Sequence, residues 1–314
     1  MDRYELAWAA GFFDGEGWTG TSRSEQRRSI QTHARVNQAD VNGVPAALTR
    51  FQVALGGLGR IGGPDRSVGR QDLYRWAVSS RADVELLQHL LMPWLGQVKL
   101  LQLATALERA AAPSRPVAPN DEWRAWAAGL YDAEGCSALL HHRTHDGYMA
   151  PEMSVTQSSR VGSPEVLRRF MAVVQAGAIS GPYRQRLATM DVYRWKASAR
   201  CDAERVIAEL WPFLGPVKRI QAQRLLDTIA AQPDLPRGNP AWGRDKTHCV
   251  HGHEYATARL RPYVSRGRDE RKRENQFCLA CLREYARKQR EKRRSAAEDD
   301  RRSISEPVMS YLLK

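Results

Sequence analysis

The amino-acid sequence predicts a mixed α/β (α+β) fold: two pseudo-symmetric half-domains, each running αββαββα, followed by a small module of different composition. Three observations predict it. Residues 8–17, WAAGFFDGEG, return at 126–135 as WAAGLYDAEG, an offset of 118 that pairs Trp8 with Trp126, Gly11 with Gly129, Asp14 with Asp132, Glu16 with Glu134 and Gly17 with Gly135. The match continues between the motifs. Val36 and Val155, Gln38 and Gln157, Pro45 and Pro164, Phe51 and Phe170, Tyr74 and Tyr193, Trp76 and Trp195, and Lys99 and Lys218 pair at 119, while Gly59 and Gly177, and Pro64 and Pro182, pair at 118. Third, residues 244–294 carry 16 Lys/Arg against 7 Asp/Glu, so +9 of the chain's net +13 sits in one short stretch.

The repeat divides the chain into a first half over 1–111, a linker over 112–121 and a second half over 122–232, with a further linker over 233–244, the basic module over 245–294 and a tail over 295–314. Each half opens on a run of small and apolar residues that predicts a helix closed by a glycine at its C′ position. Small residues on one face let a second helix approach closely. Two such helices side by side would bring Glu16 and Glu134 to the same place.

Residues 18–23 and 29–38 read as two strands around a polar turn. In the second, Ile30, Ala34 and Val36 share one face, and Gln31, His33, Arg35 and Asn37 share the other. Residues 44–55 have an early proline and helical spacing. Gly-rich 56–63 breaks that helix, and a second hairpin follows with Asp72–Val78 as its better-marked strand, Tyr74, Trp76 and Val78 on one side and Arg75 on the other. Residues 81–92 predict a helix, Pro93 interrupts it, and 97–110 predict another. The linker APSRPVAPND holds three prolines and reads as a stiff spacer. The second half repeats the order. Arg194 and Lys196 alternate there with Tyr193 and Trp195, and Arg184 and Arg186 share a parity on the preceding segment.

A carboxylate at a helix C-terminus faces the negative end of the macrodipole, so paired acids there point to a cation. One such acid alone would be a solvated side chain; duplication in register favours a hard divalent ion such as Mg²⁺ on Glu16 and Glu134. The net charge and a pI near 9.8 point to a polyanionic partner, which charge alone leaves as DNA, RNA or an anionic membrane. No apolar run approaches 18 residues, and the start MDRYELAWAAG has acid where a signal peptide has a basic head, so the expectation is an intracellular, cytoplasmic protein with no membrane partner. Five cysteines, three of them in the last 66 residues, do not resemble a secreted disulfide framework.

In the C-terminal module, Cys249-Val-His-Gly-His253 and Cys278-Leu-Ala-Cys281 form two ligand pairs across a basic loop, a spacing that suits tetrahedral Zn²⁺. Cys249, His253, Cys278 and Cys281 are the favoured set, with His248 and His251 competing for the histidine position. Few apolar residues could hold 245–285 together without a metal. Residues 282–294, LREYARKQREKRR, read as a basic helix for backbone contacts, and 295–314 as a disordered tail.

AAGFFDGEG and AAGLYDAEG resemble the two motifs of the LAGLIDADG homing endonucleases in their single-chain form, over residues 1 to about 230. Both copies carry Ala where the motif name has Leu at its first position and Glu where it has Asp at the eighth, which retains the metal-binding carboxylate. The resemblance implies a monomeric β-saddle laid along double-stranded DNA, cutting both strands of a long target to leave short 3′ overhangs. It implies Glu16 and Glu134 as metal ligands, Lys99 and Lys218 as basic active-site residues, Gln38 and Gln157 as water-organising glutamines, and a structural role for Asp14 and Asp132. On the saddle, Gln31, His33, Arg35, Arg75, Arg184, Arg186, Arg194 and Lys196, with Ser154 beside them, are expected to meet DNA, since a two-stranded ribbon fits the major groove. The module resembles zinc modules attached to HNH-type mobile-element nucleases, without an HNH catalytic set, so its expected part is structure and DNA binding. Two other readings use the same fold: a non-cleaving DNA-binding regulator and an RNA-binding intron maturase. Retention of both acids favours the nuclease.

Overall fold

The computed structural model describes residues 1–23, 30–40, 42–66, 71–141, 149–184, 189–232, 253–254, 260–266 and 272–291. The chain forms two compact units, Met1–Pro233 and Asp234–Lys314.

In the first unit the order is α1 (Arg3–Glu16), β1 (Gly17–Arg23), β2 (Ile30–Asp40), α2 (Ala46–Ala54), β3 (Arg60–Asp65), β4 (Asp72–Val78), α3 (Arg81–Leu91) and α4 (Gln97–Ala106). It then repeats as α5 (Asp121–Glu134), β5 (Gly135–His141), β6 (Met149–Ser159), α6 (Glu165–Val174), β7 (Ala178–Tyr183), β8 (Asp191–Ala197), α7 (Arg200–Leu210) and α8 (Pro216–Ala230). Each half is an antiparallel four-stranded sheet, ordered β1-β2-β4-β3 and β5-β6-β8-β7.

The spine is α1 against α5. Asp2 caps α1 through the Tyr4 amide and Asn120 caps α5 through the Trp123 amide. Leu6 to Asp14 are all buried, as a helix enclosed on every side requires. A Cβ on Gly11 would lie 1.8 Å from the Trp126 carbonyl oxygen, and one on Gly129 would lie 1.9 Å from that of Trp8. The two glycines therefore set the spacing of the halves. Ala34, Val36, Tyr74, Trp76 and Val78 turn inward from the first sheet, and Val155, Tyr193, Trp195 and Ala197 do so from the second. Each core is keyed by an edge-on pair of rings, Phe51 with Trp76 at 4.9 Å and Phe170 with Trp195 at 4.7 Å.

Four details depart from the sequence reading. Gly17 and Gly135 are extended, at φ −70° and −72°, and not left-handed C′ residues. Each is glycine because the helix passes directly into a strand, where a Cβ would sit 2.4 Å from the Phe13 or Tyr131 carbonyl. The glycine-rich stretch breaks α2 only as far as Gly59; β3 begins at Arg60 and pairs with β4 from Arg60↔Ala77 to Gly62↔Arg75. Helix α4 ends at Ala106, after which Glu108 takes a left-handed φ of 55°. The linker is fastened rather than merely stiff: the Ser114 amide donates to Gln97 Oε1 at 2.9 Å and its hydroxyl to Glu165 Oε1 at 2.8 Å, with Val117 and Ala118 packed on the core.

In the second unit, β9 (Leu260–Arg266) and β10 (Lys272–Cys278) form an antiparallel pair, followed by a helix over 279–291 that takes up most of the expected basic helix. Arg186, His248, Cys249, His251, the linker over 233–244 and the tail over 295–314 lie outside the described residues. Among the described residues, no helix is long and apolar enough to cross a membrane.

Candidate active site

Where α1 and α5 end, the repeated acids converge. Gly15 abuts the other helix so closely that a Cβ on it would lie 2.6 Å from Ala133 Cβ and 3.1 Å from Glu134 Cγ. Gln38, on β2, donates from Nε2 to Glu16 Oε1 at 3.0 Å, and Gln157, on β6, lies beside Glu134 and favours its ionised form. The Lys99 ammonium donates to the Gly17 carbonyl and the Lys218 ammonium to the Gly135 carbonyl. Six residues expected at the site, from six different elements, are thus brought together.

Their electrostatics are those of an acid pair partly withdrawn from water. Burial, then the charge of Glu134, pushes the Glu16 carboxyl up to about 7, opposed by Lys99. Burial also raises Glu134, opposed by Gln157, Lys99 and Lys218. Burial holds both lysines below the ordinary ammonium range, Lys99 against the pull of Asp14, Glu134 and Glu16, and Lys218 against that of Asp132, Cys136 and Glu134. Lys99 therefore feels the acids of both halves.

The lysines are positioned by the other acids of the motif. Both oxygens of Asp14 accept from the Gly96 amide at 3.0 Å, and Gly96 caps α4 three residues before Lys99. Asp132 accepts from the Gly215 amide at 2.7 Å, at the corresponding start of α8. An acid at a helix N-terminus meets the positive end of the dipole. Each acid is also held from the opposite half, Asp14 by the Trp126 indole N–H at 2.9 Å and Asp132 by that of Trp8 at 2.7 Å. Burial raises both carboxyls to about 6, so at neutral pH they are ionised acceptors.

Sequence reasoning missed the outer shell of this arrangement. Arg50 stacks on Trp8 at 4.0 Å, pairs with Glu5 at 2.8 Å and donates to the Phe213 carbonyl at 2.7 Å. Arg169 lies 4.9 Å over Trp123, pairs with Glu165 at 3.2 Å and donates to the Trp94 carbonyl at 3.0 Å. The signal was available: both arginines precede the paired phenylalanines Phe51 and Phe170 at the common offset. Asp14→Ala would strand the Gly96 and Trp126 donors in the interior. The expected loss is about 3 kcal/mol of unfolding free energy in a denaturant titration, and a loss under about 1 kcal/mol would contradict this role.

Gln31, His33 and Arg35 on β2, Arg75 on β4, and Arg194 and Lys196 on β8 lie on the sheet faces turned from the helices. Arg184 follows β7, 3.4 Å from Asp191. His33 Nε2 lies 2.7 Å from the Ser22 hydroxyl, Arg35 stacks on Trp18 at 4.3 Å, Arg75 donates to Asn37 at 3.2 Å, and Lys196 is ion-paired with Glu152. Arg194 is exposed, and Ser154 is buried. Cys136 and Cys201 are free and exposed.

In the second unit, the ligand atoms of His253, Cys278 and Cys281 all lie within 4.8 Å of one another, with His253 Nδ1 3.3 Å from Cys281 Sγ. The two cysteines straddle the junction of β10 with the following helix.

The fold defined by these twin sheets and apposed motif helices is that of the LAGLIDADG homing endonucleases. Among solved structures, the chain is similar to the LAGLIDADG homing endonuclease I-GzeII in complex with its DNA target, at 12% identity and a TM-score of 0.51, over 71% of this chain and 88% of that one. It is also similar to the LAGLIDADG meganuclease I-AabMI bound to uncleaved DNA, at 16% identity and a TM-score of 0.50, over 72% and 90% of the two chains. No protein-family model and no curated protein matches the sequence.

Proposed function

We propose that the chain is a site-specific endonuclease that cuts both strands of double-stranded DNA, with a divalent cation such as Mg²⁺ held by Glu16 and Glu134. The observation that carries this reading is the convergence of the duplicated acids, each with its own glutamine and lysine, at the ends of two helices in close contact. The donor set fits the ion. Glu16 and Glu134 are partly buried carboxylates, Glu16 raised further by the charge of Glu134 and both offset by lysine, and hard oxygens of this kind are what Mg²⁺ takes. When bound, the ion supplies Lewis-acid activation of phosphate and water.

The chain's own groups do the rest. Gln38 fixes the orientation of Glu16, and Gln157 favours the ionised form of Glu134. Lys99 and Lys218, anchored on the Gly17 and Gly135 carbonyls, bring positive charge to where negative charge develops at the scissile phosphate. Arg75, Arg194 and their neighbours on the polar sheet faces hold the duplex, some through phosphates, which set position, and some through base edges, which set sequence. Selection of cleaved duplexes from a randomised library tests the reading. A plasmid carrying the selected site is expected to be linearised in Mg²⁺ and left intact in EDTA, and a failure of every divalent ion to support cleavage would refute it.

To the second unit we assign a structural Zn²⁺ on His253, Cys278 and Cys281, with Cys249 as the fourth ligand, in support of a basic DNA-contacting helix, since thiolate and imidazole donors select this ion. Elemental analysis of the full chain is expected to find about one zinc, lost in Cys281→Ser. Metal-free protein whose 260–291 segment resists protease as well as the zinc-loaded form does would contradict the assignment.

A further inference from the structure

We propose that Arg35, mounted on the face of Trp18, is a preformed reader of one guanine beside the cleaved steps, on the first half's side of the target only. This inference rests on the nuclease reading and adds the base, its place and its asymmetry.

Trp18 directly follows Gly17, whose carbonyl takes the Lys99 ammonium, and its register partner across β1 and β2 is Arg35. The pair is therefore the first outward-facing row shared by β1 and β2, two residues along β1 from Glu16. The indole lies over Gly20, where a Cβ would sit 2.5 Å from Cζ2, so the ring occupies the space above its own strand. The Arg35 guanidinium carbon stands 4.3 Å above that ring. Arg35 Nε is buried with no hydrogen-bond partner, which leaves the two Nη groups as the edge that can meet a ligand. An arginine that served only to brace the sheet would be expected to satisfy Nε on a neighbour. Here the ring takes the place of such a partner, holding the planar fork still while its tip stays available. A fork held in this way matches the paired O6 and N7 acceptors of guanine in the major groove, and less of its freedom is lost on binding.

The second half has no equivalent. Its corresponding row pairs Cys136 with Ser154, both short, and Ser154 faces Lys196, which is already committed to Glu152. In the first half the residue facing Arg35 on β4 is Ala77. The glutamate, glutamine and lysine of each half repeat, yet this row does not, so the two sides of the target should differ here.

Selection of bound duplexes from a randomised library by the full-length protein in EDTA reads the preference without cleavage. The wild-type chain is expected to select guanine at one position flanking the centre, on one side. Arg35→Ala should weaken that preference by about tenfold or more, the scale of one bidentate contact, and leave the other positions unchanged. Arg35→Lys should fail to restore it, because an ammonium lacks the fork, and Trp18→Leu should weaken the same position. Variants that select the same bases as wild type, or that lose affinity equally for all sequences, would overturn the inference while leaving the nuclease reading intact. A wild-type chain that selects no duplex would overturn both.

Discussion

Replacement of both Glu16 and Glu134 by glutamine is expected to reduce double-strand cleavage by about 10³-fold or more, the scale of a lost transition-state electrostatic contact, while specific DNA binding persists. Glutamine keeps the shape and can still pair with Gln38 and Gln157, but it brings no charge to hold a divalent ion. Each single variant should impair both strands, because Lys99 responds to Glu16 and Glu134 together. The variants should be no less stable than wild type in the absence of metal. Burial raises Glu16 to about 7, so above that pH the folded chain carries a carboxylate that the unfolded chain would ionise more readily, and removing it relieves a cost. Thermal melting and strand-resolved cleavage on one DNA substrate check both statements. Full cleavage by the double variant would remove the acids from the mechanism.

Gly11→Val is the substitution expected to harm the fold most. Its Cβ would be placed 1.8 Å from the Trp126 carbonyl oxygen, a contact with backbone that no side-chain rotation relieves. Helix α1 would have to retreat from α5, which separates the acids and breaks the Trp8 and Trp126 hydrogen bonds that cross between the halves. A loss of about 4 kcal/mol or more is expected, the upper range for overpacking. Gly62→Ala is the matching control: nothing lies within 4 Å of its Cβ and its φ is not positive, so its stability should stay within about 0.5 kcal/mol of wild type. Denaturant midpoints of the two variants decide the matter. Equal midpoints would mean that the helices do not pack at the glycines.

Much of this was legible because the chain is written twice. Strand β4 could be bounded at Asp72 and Val78 because Tyr74, Trp76 and Val78 face a core and Arg75 does not, and the same alternation marks β2. Strand β3 was hidden, since Arg-Ile-Gly-Gly-Pro-Asp has little strand propensity; its pairing comes from β4, with an irregularity between Gly62 and Asp65. The convergence of Lys99 on the acids depends on Asp14 reaching Gly96, a contact between residues 82 apart that no local pattern encodes. The indole contacts across the halves were equally hidden, because Trp8 meets Asp132 and Trp126 meets Asp14 only once both halves are packed. Gly17 misled for a different reason. A glycine after a helix usually marks a left-handed residue, whereas here it serves a direct passage from helix to strand.

Glu16 and Glu134 are expected to hold divalent ion jointly against a bound phosphodiester. Crystals of the full chain with its selected duplex, grown with Mn²⁺ and measured at the manganese edge, test this most directly. The predicted result is anomalous density in contact with oxygens of both carboxylates and of a DNA phosphate. Density elsewhere, or carboxylates that contact only protein and solvent, would contradict it.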